Sequence, residues 1–347
     1  MITIKKIAQF AGVSTTTVSN VIHGKRNKIS PGTFDHINSL LQKHRYVEKL
    51  GLRHLNNSRS QIICLVINST KKFEHTVYMD PFYSQITGMV EKILHEKNYY
   101  LMIYVSMDVQ EIFRTVAAWN IDGIIAVSFR SADCSTLTEL TGKPVAAIDV
   151  RWEHGEQNDS FVNIGSADFE GGYSMTRHLI HAGYRAIWIF ASQDIGVDHE
   201  RSLGYKKALR EADIPYRSQR YVMIGENREE RIALYQKLLP LWKTGKHALE
   251  KSTHKKTALF FFSDFYAIEA IAFLSESGVP IPSAIGVAGY DDIPYAAVTV
   301  PALSTVRQNI SEKAALAVEY LFRLMNGERP ANRDLRLPVE LVIRKSL

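Results

Sequence analysis

Residues 3–22 read Thr3-Ile-Lys-Lys-Ile-Ala-Gln-Phe-Ala-Gly-Val-Ser-Thr-Thr-Thr-Val-Ser-Asn-Val-Ile22, the pattern of a helix, a tight turn and a second helix. Ile4, Ile7, Ala8 and Ala11 recur at the three-and-four spacing of one helical face. Gly12 suits the left-handed conformation that ends a helix, and Ser14 suits the N-cap of the next. Val18, Val21 and Ile22 give that second helix its own apolar stripe. Thr15, Thr16, Thr17 and Asn20 are left facing outward near its start. These side chains are short, uncharged and hydrogen-bonding, as base-edge reading in a DNA major groove requires. Ser14 and Ser19 flank them and are assigned to the DNA backbone.

Further along, Ser30-Pro31 opens a third helix, with serine as N-cap and proline at the first helical position. Phe34, Ile37, Leu40 and Leu41 form its inner face, and Tyr46 closes a small domain over residues 1–46. Lys25, Arg26 and Lys28 lie in the preceding loop, where they can grip phosphates; a solvated basic loop is the plainer reading. Charge distribution favours phosphate contact. Residues 1–60 carry a net charge of +8, whereas the other 287 residues carry −2. Such an excess at one end is the footprint of a nucleic-acid-binding surface.

The segment resembles the DNA-binding end of the LacI/GalR family of bacterial repressors. In that family a hinge follows the small domain, forms a short helix on operator DNA and pushes a leucine into the minor groove. Here the hinge spans residues 47–60, and the matching leucine is Leu55, with Arg53 two residues before it. An apolar wedge partly unstacks a base step and bends the duplex; a plain linker is the alternative. So short a helix does not persist alone in water, which makes ordering on DNA a natural means of coupling. The sequence departs from the family pattern at Glu48-Lys49, usually Pro-Asn, and at Leu52, usually alanine. Asn20 stands where arginine is common. Asparagine pairs best with adenine and arginine with guanine, so a different half-site base is expected.

From Gln61 the rhythm becomes strand, helix, strand, helix. Strands are predicted at 62–67, 99–105, 123–127, 145–148, 186–190, 258–262 and 285–287, with an amphipathic helix over 82–97. This alternation implies parallel sheets covered on both faces. The basic stretch 246–256 reads as a solvated loop. Asp122-Gly-Ile-Ile, Phe169-Glu-Gly-Gly-Tyr, Arg201-Ser-Leu-Gly-Tyr, Ser263-Asp264, Gly289-Tyr-Asp-Asp, Pro301-Ala-Leu-Ser-Thr-Val-Arg-Gln and Leu337-Pro-Val-Glu-Leu-Val-Ile-Arg resemble blocks of the same family's periplasmic-binding-protein-like core, in family order.

The resemblance implies an all-α helix-turn-helix domain followed by an α/β core, residues 61–347, of two parallel-sheet subdomains with a ligand between them. The expected N-subdomain takes 61–161 and 292–322, and the C-subdomain 162–291 and 323–347. It also implies that Asp149, Arg201, Ser263, Asp291 and Gln308 contact effector. Several of these follow predicted strand ends, where ligands bind in open α/β sheets. Carboxylates accept hydroxyl protons and a guanidinium donates in a planar fork, a combination suited to a sugar. Read without the family, Asp149 and Asp291 equally fit turn carboxylates, and Arg201 a surface helix residue. Trp152 is a candidate for stacking on a sugar face, whereas Phe82 reads as core. The paired glycines Gly171-Gly172 fit close packing as well as a phosphate loop.

Other functions find little support. No Gly-x-Ser-x-Gly, His-Glu-x-x-His, Cys-x-x-Cys or Gly-x-x-x-x-Gly-Lys-Ser/Thr pattern is present, so neither catalysis nor a cofactor or metal is expected. Cys64 and Cys134, in strand-like or loop contexts, read as inert thiols. The first residues lack a signal-peptide core and no run can span a bilayer, so the expectation is a cytoplasmic protein without a membrane partner. Its partners should be double-stranded DNA with a pseudo-palindromic site, a small carbohydrate effector and a second copy of itself. Ending at Leu347, just past the last strand, it is expected to be a homodimer rather than a tetramer.

Overall fold

The computed structural model describes residues 2–22, 24–44, 46, 59–69, 77–152, 160–225, 227–244 and 256–347. Arg53 and Leu55 of the expected hinge, and the basic stretch apart from Lys256, lie outside the described residues. The chain divides into two compact units, Met1–Ser60 and Gln61–Leu347.

In the first unit, α1 (Ile4–Ala11), α2 (Thr15–Ile22) and α3 (Pro31–Lys43) enclose a small core of Ile7, Ala8, Val18, Val21, Phe34 and Ile37. Leu40, Leu41 and Tyr46 pack partly buried against it. Gly12 ends α1 at φ 65°, in the left-handed region where only glycine is free of Cβ strain. The Ser30 hydroxyl caps α3 by accepting from the Thr33 N–H, with Pro31 at the first position.

The second unit has two sheets. The first has strand order β11-β5-β4-β3-β1-β2 and is parallel throughout. Its strands are β1 (Ile62–Asn68), β2 (Tyr100–Ser106), β3 (Gly123–Val127), β4 (Val145–Ile148), β5 (Phe161–Ser166) and β11 (Asp334–Leu337). Helices α4 (Pro81–Glu96) and α11 (Ile310–Met325) cover one face, and α5 (Val109–Ala118) and α6 (Ser131–Thr141) the other. Strands buried on both faces must be apolar along their length, which is why Ile63–Ile67 and Gly123–Val127 run without alternation.

The second sheet has order β12-β10-β9-β8-β6-β7 and is parallel apart from the antiparallel β10–β12 pair. It contains β6 (Tyr184–Ala191), β7 (Tyr221–Met223), β8 (Lys256–Phe261), β9 (Ile285–Asp291), β10 (Ser304–Gln308) and β12 (Val339–Val342). Helices α7 (Asp168–His181) and α8 (Gly196–Glu211) lie on one face, α9 (Arg228–Thr244) and α10 (Asp264–Glu276) on the other.

The subdomain boundaries differ from those expected. β5 (161–166) and β11 belong to the first sheet, and β10 to the second. The expected boundary at 161/162 falls at the start of β5, that at 291/292 before β10 and that at 322/323 inside α11, whereas the chain completes β5, β10 and β11 before it crosses. It passes between subdomains after Ser166, after Gln308 and at Pro338. β11 pairs with β5 through Asp334↔Asn163, and β10 with β9 through Thr305↔Gly289, which no local pattern announces. Cys64 sits in β1 and Cys134 in helix α6, not in a loop; both are buried free thiols, and burial pushes the Cys64 thiol up to about 12.

Candidate functional site

In the first unit, Ser14 caps α2 as expected: its hydroxyl accepts from the Thr17 N–H at 3.1 Å and lies 2.9 Å from the Thr17 hydroxyl. The Thr17 side chain is therefore engaged in capping. Thr15 and Thr16 are exposed, while Thr17, Ser19 and Asn20 are half-buried. Lys25, Arg26 and Lys28 are all exposed, with the Arg26 guanidinium 5.0 Å from the Phe34 ring centroid. A polar helix start and three exposed cations thus share one small domain.

In the second unit, a cleft with a cavity volume of about 80 Å³ lies between the two sheets, at the carboxyl ends of their strands. It is lined by Asp149, Arg201, Ser263, Asp291 and Gln308, all expected from sequence. Several lining residues adopt backbone conformations that side chains rarely take. Ser128, after β3, has φ 63°; Asp149, after β4, has φ 54°; Asp291, ending β9, has φ 123°. Backbone strain of this sort persists where surrounding contacts fix a site.

The polar groups form a continuous network. The Ser263 hydroxyl donates to Asp291 Oδ2 at 3.1 Å, and Gln308 Nε2 donates to Asp291 Oδ1 at 2.6 Å. Gln308 Oε1 in turn accepts from Ser166 at 3.1 Å and from Lys313 Nζ at 2.7 Å. The Lys313 ammonium also donates to both oxygens of Asp149, at 2.8 and 2.9 Å. Gln308 therefore joins first-subdomain groups (Ser166, Lys313, Asp149) to second-subdomain ones (Asp291, Ser263) at one of the chain crossings.

Arg201 is held from three sides. Its Nε donates to Asp168 Oδ1 at 2.8 Å and its Nη1 to the Phe262 carbonyl at 2.5 Å, while its guanidinium stacks 3.5 Å from the Tyr290 centroid. Helix α8 can carry it there because α7 and α8 touch backbone to backbone. A Cβ on Gly172 would meet the Arg201 carbonyl oxygen at 2.1 Å, and one on Gly204 the Phe169 carbonyl oxygen at 2.1 Å. The Gly171-Gly172 pair thus serves close packing, not a phosphate loop.

Burial pushes the Asp291 carboxyl up to about 7, against the opposing pull of Arg201 and the hydrogen bonds from Gln308 and Ser263. Asp264, behind it, accepts from Thr305 at 2.6 Å and from the Ile293 N–H at 3.0 Å, and burial followed by the Asp291 charge raises its pKa further. Burial also raises Asp168, despite Arg201 beside it.

Two expectations need correction. Trp152 does not line this cleft: it stacks on Phe161 at 5.7 Å and borders a separate surface hollow with Asp168 and Arg336. Its ring packs on the core cluster that contains Val150 and Phe161. Phe82, read as core, is half-buried and lines the cleft. Lys313, Asp168 and Arg151 were not singled out. Lys313 had a signal: it interrupts the apolar stripe Ile310, Ala314, Ala317, Val318, Leu321 on a helix whose inner face is otherwise hydrocarbon. Asp168 and Arg151 had none, because each acquires its role only through partners distant in sequence.

Residues 3–48 match the LacI family of bacterial regulatory proteins, and residues 176–347 match the periplasmic binding protein-like domain. The chain carries a LacI-family DNA-binding domain followed by a periplasmic-binding-protein-like domain. Over its whole length it is 29% identical to the HTH-type transcriptional repressor PurR of Actinobacillus pleuropneumoniae serotype 5b (strain L20), covering 98% of that relative. The lac repressor dimer bound to operator and the anti-inducer ONPF shares the fold at TM-score 0.80 and 19% identity, covering 99% of this chain and 98% of that one. The transcriptional regulator CelR in complex with cellobiose gives TM-score 0.71 at 23% identity, with both chains fully covered. A LacI-family reading domain joined to a two-subdomain core makes this chain a DNA-binding transcription regulator. Among the described residues, no helix is long and apolar enough to cross a membrane.

Proposed function

We propose that this regulator is a cytoplasmic homodimeric repressor, without catalytic activity, whose operator affinity is set by a small carbohydrate bound in the cleft. The observation carrying this reading is the Ser263–Asp291–Gln308–Lys313–Asp149 network, which lines a cavity and ties the two subdomains together at a crossing. A ligand that exchanges its hydroxyls into that network favours one subdomain arrangement over another. It can therefore shift a two-state equilibrium by its differential affinity. Supporting the ligand class are the carboxylates and the guanidinium at strand ends, and the cellobiose held by one structural neighbour. The dimer follows the lac repressor's, and the repressor role follows PurR's.

On DNA, Thr15, Thr16, Thr17 and Asn20 read bases; Ser14, Ser19, Lys25, Arg26 and Lys28 hold phosphates. Residues 47–60, with Arg53 and Leu55, transmit the state of the core. The test is a sugar panel scored twice, by thermal stabilisation of the full-length protein and by its affinity for DNA upstream of its own gene. A sugar that stabilises the protein and changes DNA affinity supports the reading. DNA binding indifferent to every stabilising sugar would leave a constitutive DNA-binding protein instead.

A further inference from the structure

Among the described residues, Arg151 is the cation in the cleft whose donors are uncommitted. Of the two guanidiniums lining it, Arg201 is occupied by Asp168, the Phe262 carbonyl and the Tyr290 ring. The Arg151 side chain, by contrast, has no hydrogen-bond or ion-pair partner among the described residues, and its Nε is buried. Its sequence neighbour in space, Asp133, is already taken by Arg130 through two bonds of 2.9 and 3.0 Å. Burial lowers the Arg151 pKa, as expected of a guanidinium short of counter-charge.

The cleft's carboxylates are in the opposite condition. Asp149 is neutralised by Lys313. Asp198 accepts from the Ser192 N–H and hydroxyl at 2.8 and 2.9 Å and from the Gln193 N–H at 3.2 Å, with Arg201 at 3.7 Å. Asp291 takes two donors, and Asp80 caps α4 by accepting from the Phe82 N–H at 3.0 Å. Among the described residues, what the cleft lacks is a partner for one guanidinium.

That guanidinium is also positioned. Its stem lies across the cleft against Gly196, the first residue of α8, where φ is 60° and an added Cβ would come within 2.6 Å of Arg151 Cγ. A guanidinium fork held by its stem is suited to bidentate recognition of an oxyanion.

We propose that the effector is an acidic sugar, its carboxylate paired with Arg151 and its hydroxyls directed to the Arg201–Asp291 end. This rests on the carbohydrate reading above. A carboxylate is favoured over a phosphate because one uncompensated positive charge matches a monoanion. A phosphate monoester carries about −1.5 to −2 at neutral pH and would leave charge facing Asp149, Asp198 and Asp291.

The experiment titrates full-length protein with glucuronate, galacturonate and gluconate, with glucose and galactose as neutral counterparts, and with glucose 6-phosphate. Wild type, Arg151→Gln and Arg151→Lys are compared by calorimetry, with operator affinity as the folding control. At least one sugar acid should bind more tightly than its neutral counterpart. Arg151→Gln should weaken that acid by about 10- to 100-fold, as loss of charge-assisted hydrogen bonds does, and leave operator affinity unchanged. Arg151→Lys should recover part of the loss. A neutral sugar bound as tightly as its acid, or an acid indifferent to Arg151→Gln, overturns this inference but leaves the carbohydrate reading intact. Preference for glucose 6-phosphate overturns the carboxylate assignment. No binding by any of them would remove the carbohydrate reading and this inference together.

Discussion

The Lys313 ammonium sits 2.8 and 2.9 Å from the two carboxylate oxygens of Asp149, and Lys313 is 0% exposed. Its third donor goes to Gln308 at 2.7 Å, so all three protons of the ammonium are used. Removing one member of such a pair strands the other as a buried charge, which typically costs about 3–5 kcal/mol. Lys313→Met should therefore destabilise the core by roughly that amount, read from urea unfolding. Lys313→Met combined with Asp149→Asn should recover much of the loss, because no unpaired charge remains. A single variant as stable as wild type would mean that the pair is not formed in solution.

Asp291 gives the core a pH dependence of definite sign. Its carboxyl is raised to about 7 in the folded protein by burial, against roughly 3.9 in an unfolded chain. The folded state thus binds the extra proton between those values. This contribution is fully present below the unfolded pKa and is lost as pH rises through about 7. Asp168 and Asp264, both raised by burial, act in the same direction. Urea midpoints measured from pH 5 to 8 should fall with pH, and Asp291→Asn should flatten the upper part of that slope. An identical slope in the variant would contradict the assignment.

The backbone contact of α7 with α8 should be intolerant of a single methyl. Gly172→Ala places Cβ about where the Arg201 carbonyl oxygen lies, at 2.1 Å. Separating the helices should cost at least the about 1–3 kcal/mol usual for overpacking. Because Arg201 rides on α8, ligand affinity should fall as well. Gly32→Ala, at a position with open space, serves as the control for both measurements.

At the DNA end, Asn20 should set one base of the half-site. Selection from random DNA with wild type and Asn20→Arg should return sites that differ at one symmetric position, adenine being replaced by guanine. Lys25→Ala or Lys28→Ala should weaken binding to all sequences alike and reduce the salt slope by about 1 each. Leu55→Ala should weaken specific binding and spare non-specific binding if the leucine is a minor-groove wedge; equal loss of both would make residues 47–60 a plain linker.

Much of the first unit was legible because its signals are local. Gly12, Ser14 and the Ser30-Pro31 pair act on their own helices, and periodicity selected the buried Ile7, Val18 and Ile37. Strands β3 and β4 were equally plain, since an all-apolar run of that length has few other readings. The crossings were not, because β5, β10 and β11 take their sheet from partners far along the chain. In the cleft, family blocks led to Arg201, Asp291 and Gln308 but gave no hint that Lys313 already occupies Asp149. Trp152 packs on Phe161 rather than lining the cleft, because proximity in sequence to Asp149 does not decide which side of the strand a side chain joins.

The most direct measurement is linkage between the cleft and DNA. With a selected operator and a sugar that stabilises the full-length protein, operator affinity is measured with and without the sugar, and sugar affinity with and without the operator. Coupling requires both affinities to change by the same factor, with Arg201→Ala abolishing the effect of the sugar. Two ligands that bind the same molecule with independent affinities would contradict control of DNA binding through the cleft.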